Sequence, residues 1–185
     1  MKVTGWLPVL AVLGISATTM ADDPEPQRDR EVRRDVGARE LSGVHANVVP
    51  AIAGIEAADK AVAVLYELAG GEGLRQKDAQ DTVALARQAL DMALDRAAAL
   101  DNVRGLSRDA RTQLDRATRS LRQARTTLRR IDEQVGNRQA RVPLDRAQRL
   151  RDQAGSMHED LSDAEDSIER IAKAYDVPTD LEFGD

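Results

Sequence analysis

Between Ala147 and Tyr175 the apolar residues fall at Ala147, Leu150, Ala154, Met157, Leu161, Ala164, Ile168, Ile171 and Tyr175, in alternating steps of three and four. A helix gathers residues so spaced into one narrow stripe, which is stable only when buried against other helices. The same code recurs upstream. Leu114, Leu121, Leu128 and Val135 hold one heptad position while Ala110, Ala117, Ala124 and Ile131 hold the other. Nearer the N-terminus, Leu41, Val48, Ile55, Val62 and Ala69 alternate with Val44, Ala51, Ala58 and Leu65. A fourth stripe, Val83, Leu90, Leu94, Ala97 and Leu100, lies between these two.

The breaks between stripes are short. Gly70, Gly71 and Gly73 end the first helix and Gly105 the second; Ser107 is placed to cap the third, which runs to Gly136, and Pro143 suits the first turn of the fourth. The predicted helices span about 41–69, 78–102, 107–135 and 143–176. Pro50 interrupts the first pattern and predicts a kink or a restart near Asn47, because proline lacks the amide donor and crowds the preceding turn. Short links make consecutive helices antiparallel. The expected fold is therefore all-α, an antiparallel four-helix bundle with coiled-coil-like seams over 41–176.

Alanine at every second seam position lets helices approach closely and leaves little room for an internal ligand. It also thins the core, since each alanine buries far less apolar surface than leucine at about 25 cal/mol per Å². Such a core implies either a marginal monomer or a homo-oligomer that buries a second seam, for which Val49, Ile52 and Tyr66 are the extra apolar positions.

The ends of the chain read differently. Lys2, the apolar run Trp6 to Ile15 and the small-residue site at Thr19-Met20-Ala21 form a secretory signal peptide over 1–21, cleaved near Ala21. The run is shorter than the roughly 20 apolar residues that span a bilayer, so no transmembrane segment is expected in the mature chain. Residues 22–40 are a charged leader becoming helical from about Arg28, and 177–185 an acidic tail bearing Leu181 and Phe183. The implied location is the periplasm or the medium.

Composition narrows the function. The chain has no cysteine, which excludes disulfides, thiolate metal sites and covalently attached haem. Beyond the signal its aromatics are Tyr66, Tyr175 and Phe183, too few for base-stacking or a sugar-binding shelf. The formal net charge of −5, together with an export signal, disfavours nucleic acid despite the arginines. Charge is nonetheless segmented: residues 101–151 carry 14 Arg against 6 acids, and residues 152–185 carry 11 acids against Arg170 and Lys173. Arg108, Arg122 and Arg129 share one heptad position of the third helix and Arg111 and Arg125 another. These five are the candidate partner-binding residues, for a protein or an anionic envelope component. Pairing with the acidic fourth helix within one molecule, or simple solvation of the bundle, is the competing expectation.

Catalytic chemistry finds no footing. Ser107, Ser156 and Ser162 fit caps or solvated positions, and no Glu-x-x-His pair marks a di-metal bundle. His45, Met157 and His158 are weak metal candidates, and His45 with Met157 is the one conceivable haem pair. Adjacent helical residues diverge by about 100°, however, so an inward Met157 puts His158 on a flank, and His45 is expected roughly two turns from its level. The reading is an exported, non-catalytic scaffold, adaptor or envelope-binding module without a cofactor. The runner-up is an all-helical periplasmic chaperone or stress protein, although no LTxxQ repeat occurs; a metal- or haem-binding bundle comes third.

Overall fold

The computed structural model describes residues 25–71, 75–136 and 143–179. Four helices account for nearly all of them: α1 (Glu25–Gly70), α2 (Gln76–Asp101), α3 (Arg108–Val135) and α4 (Leu144–Ala174). Packing is cyclic. Helix α1 lies against α2 and α4, and α3 against α2 and α4, so the chain is an all-α four-helix bundle. Cross-helix contacts fix the directions. Gly43 of α1 lies beside Val103, just past α2, and Gly54 beside Ala93, earlier in α2; Gln76 at the start of α2 donates to the Val135 carbonyl at the end of α3, and Arg146 at the start of α4 reaches the Gln134 carbonyl. Each pair of neighbours thus runs antiparallel.

The core is built from the stripes. Every seam residue of α3 from Ala110 to Val135 is buried, and so is every seam residue of α4 from Ala147 to Ile171. Tyr175, the next step of that stripe, is half-buried instead and serves as the C-cap. Its hydroxyl accepts the Ser107 amide at 2.8 Å, tying the end of α4 to the start of α3. Ser107 caps α3 as its position predicts, its side chain accepting from the Ala110 amide at 3.1 Å.

Several expectations change. Helix α1 begins at Glu25 and continues without a break through Pro50, so the proline does not restart it. Leu41, the first residue of the predicted seam, is 46% exposed, because the core ends one turn later at Val44, beside the α2–α3 connection. Pro143 is the N-cap of α4 rather than a member of its first turn. Ile52 joins the single core, with Val49 and Tyr66 packed on its edge, so the residues expected to form a second seam serve the first. The expected signal peptide, the first residues of the leader, Gly73, Leu181 and Phe183 lie outside the described residues.

Two local devices set the packing. At Gly54 an added Cβ would stand 3.0 Å from the Ala93 amide nitrogen and 3.1 Å from the Ala89 carbonyl oxygen, so α1 and α2 touch backbone to backbone there. At the end of α4, Asp176 adopts φ 51°. The Val177 amide then reaches the Ala172 carbonyl at 2.9 Å and the Asp176 amide the Lys173 carbonyl at 3.4 Å, a Schellman closure with aspartate where glycine is usual.

Candidate interaction surface

Helix α3 carries its arginines outward because leucine and alanine take the inward positions. Arg108, Arg111, Arg122, Arg125 and Arg129 are all exposed. Their neighbours differ from those expected. The ion pairs that cross between helices here join α3 to α2: Arg125 to Asp91 at 3.2 Å, and Asp132 to Arg87. Arg129 pairs weakly along its own helix with Glu133 at 3.9 Å, and the Arg111 Nε donates to the Leu106 carbonyl at 3.4 Å. Arg108 and Arg122 form no ion pair among the described residues.

The reason is angular. At 100° per residue, positions 122, 125 and 129 turn toward α2, while position 165 of α4 turns away from α3 toward α1. Glu165 therefore sits among Glu56 and Asp59 of α1 rather than beside an arginine. Burial raises its pKa above the ordinary carboxylate value, and Glu56, Glu169, Asp59 and Asp166 push it the same way. Asp160 is also raised, by burial and then by Asp163 and Glu159. The acids of α4 are thus partly unneutralised within the molecule.

Between α2 and α3 runs an open groove with Leu94, Ala97 and Leu114 on its floor and Arg119, Arg122 and Arg125, together with Asp115, along the α3 wall. Asp95 and Asp101 stand on the other side. Arg119 was not among the sequence candidates, since it lies outside the two heptad positions they share. It precedes Arg122 by one turn, and counting at i+3 as well as i+7 brings it in. Arg108 and Arg111 sit nearer the start of α3, outside this groove's lining.

The metal candidates do not converge. Met157 is fully buried in the core, whereas His158 is exposed on the flank with its Nδ1 2.5 Å from Asp59 Oδ1. Asp59 marks the level of His158 on α1, and His45 lies fourteen residues up that helix, about 21 Å away at 1.5 Å per residue. The separation is about four turns rather than the two expected, since α4 meets α1 lower than equal helix ends would place it. Among the described residues no group of three His, Asp or Glu side chains is arranged to hold a metal ion, and no described helix is long and apolar enough to cross a membrane. Comparison with protein-family models, curated proteins and solved structures finds no match to this chain.

Proposed function

We propose that this is an exported, non-catalytic helical bundle that recognises an anionic protein surface or envelope component through the groove between α2 and α3. The observation that carries the reading is the wall formed by Arg119, Arg122 and Arg125 above an apolar floor. Guanidinium groups on a rigid helix are held in register without loss of backbone freedom, and they bind carboxylate or phosphate in bidentate fashion. The apolar floor adds a contact that a simple polyanion does not use. Export is supported by the pattern of Met1 to Ala21 and surface recognition by a core filled with side chains rather than a cofactor pocket.

The test is chemical crosslinking and affinity capture of the tagged protein from its native envelope, with elemental and absorbance analysis of the same sample. One stoichiometric partner, or one anionic lipid or glycolipid, supports the reading. A broad set of unfolded clients favours a chaperone, and bound metal or haem without a partner overturns it.

A further inference from the structure

Helix α4 is held between its two neighbours by flanks that can be told apart. Arg146 reaches the Gln134 carbonyl of α3, so Arg146, Gln153, Asp160 and Ser167, seven residues apart, form the flank toward α3. Arg151 stacks on the Tyr66 ring of α1 at 4.4 Å and His158 meets Asp59, so Arg151, His158, Glu165 and Ala172 form the flank toward α1. Both flanks carry an acid at mid-helix. Asp160 faces the uncharged row Gln113, Ser120, Thr127 and Gln134 of α3, and its Oδ2 is buried without a hydrogen-bond partner. Arg116, Arg119 and Arg170 line the outer mouth of that seam beside Asp163 and Asp166, yet among the described residues none of the three forms an ion pair. On the other flank, Glu165 stands among Glu56 and Asp59 of α1 and Asp166 and Glu169 of its own helix. Lys60 of α1 reaches only Glu56, at 3.7 Å.

We propose that the docking of α4 is a pH-sensitive device: mild acid seats the helix between α1 and α3, and mildly alkaline conditions loosen it. Three groups act in the same direction. Burial, and then the neighbouring acids, raise the pKa of both Asp160 and Glu165. The docked helix therefore holds these protons more tightly than the free one, so the stabilisation is present in acid and is lost as pH rises through the raised values. The third group is His158, whose Nδ1 lies 2.5 Å from Asp59 Oδ1. An imidazole changes charge between about pH 5 and 8, and with both ring nitrogens protonated it donates to a carboxylate as cation to anion. Acid thus adds an attraction between α4 and α1 where acids otherwise face one another. The window runs upward from the ordinary carboxylate values, 3.8 for Asp160 and 4.5 for Glu165, through the imidazole range.

The position of α4 suits this role. It is the last helix of the chain and α1 the first, so no loop joins the two and α4 can part from α1 without straining a connection between them. Loosening it uncovers the apolar stripes of α1 and α3. The device leaves out the α2–α3 groove and stands independently of the proposed partner.

The experiment is native-state hydrogen exchange of the purified protein, read by mass spectrometry at about pH 5 and about pH 8 and corrected for the pH dependence of exchange in a free amide. Asp160→Asn/Glu165→Gln and His158→Gln are measured in parallel; the carboxamides keep the shape of the side chains and remove charges that oppose docking. Amides around residues 158–165 of the parent are expected to open about tenfold less often at the lower pH, the worth of one pKa unit, while those of α2 hold steady. The double variant at about pH 8 should match the parent at about pH 5, and His158→Gln should show a smaller ratio between the two conditions than the parent. Equal protection of α4 in both conditions, or stronger protection in the more alkaline one, overturns the proposal. So does a change shared equally by α2, or a double variant that keeps the parent's ratio.

Discussion

Replacing Gly54 by alanine sets two effects of known sign against each other. Alanine in mid-helix is favoured over glycine by about 1 kcal/mol, since glycine loses more backbone freedom on folding. At Gly54, however, the new Cβ would lie 3.0 Å from the Ala93 nitrogen, 3.1 Å from the Ala89 oxygen and 3.2 Å from the Ala93 Cα. Ordinary carbon contacts are about 3.5–4.0 Å. All three atoms are backbone, so no side chain can rotate away and the whole of α2 must move outward by some tenths of an ångström. Overpacking of this kind costs about 1–3 kcal/mol, which exceeds the propensity gain and leaves a net loss of about 1 kcal/mol. Gly155 supplies the control: it lies within α4, and an added Cβ there meets nothing within 4 Å, so Gly155→Ala keeps the full gain of about 1 kcal/mol. Thermal unfolding followed by circular dichroism should show Gly54→Ala below the parent and Gly155→Ala above it, each by about 2–4 °C. If Gly54→Ala raises the midpoint as far as Gly155→Ala does, the close approach of α1 and α2 is refuted.

Three further outcomes test the packing and the charges. Leu121→Glu puts a carboxylate at a fully buried position and should abolish cooperative unfolding, while the exposed neighbour Arg122→Glu should change the midpoint by less than about 0.5 kcal/mol equivalent; a folded Leu121→Glu would mean the α3 register is wrong. Asp176→Gly relieves a left-handed residue at the α4 closure and should stabilise by about 0.5–1 kcal/mol in chemical denaturation; a loss would show that the aspartate side chain contributes more than its backbone costs. Glu165 has its pKa raised by burial and by surrounding acids, so the folded state holds the proton more tightly than the unfolded chain does. Its ionisation therefore weakens folding, and stability falls as pH rises through the raised value. Glu165→Gln should then melt higher than the parent at neutral pH, and the difference should vanish once the medium is more acidic than the ordinary value of 4.5; a variant that melts lower at neutral pH would contradict this.

What the sequence disclosed was the repeating part of the fold. Leu114, Leu121 and Leu128 declare their common face by spacing alone, because an inward position in a bundle repeats every three or four residues. Residues whose role depends on a neighbour in space did not declare themselves. Gly54 reads along the chain as a weak point in a helix, and only the presence of the Ala89 and Ala93 backbone turns it into a contact. Asp176 reads as the last residue of the fourth helix until its backbone angle is known. The arginines of α3 can be counted in the sequence, but not the neighbours they meet, since the total charge of α4 says nothing about the direction in which Glu165 points. Pro50 carries a strong breaking signal, yet the packing of α1 on two neighbours outweighs one missing hydrogen bond. The surface groove was half visible: Arg122 and Arg125 were found by heptad spacing, while Arg119 and the floor of Leu94 and Leu114 required the two helices to be set side by side.

The central functional claim is that the arginine wall of the α2–α3 groove makes the contact. It is tested most directly by the binding isotherm of the captured partner with the parent, with Arg119→Glu/Arg122→Glu, and with Arg149→Glu. Arg149 lies on α4, paired with Asp145 at 2.8 Å, and its reversal changes net charge away from the groove. The account predicts that the double variant weakens binding by about tenfold or more, roughly 1.4 kcal/mol, while Arg149→Glu binds as the parent does. Equal affinity for all three proteins, or a loss for Arg149→Glu as large as that of the double variant, would contradict it.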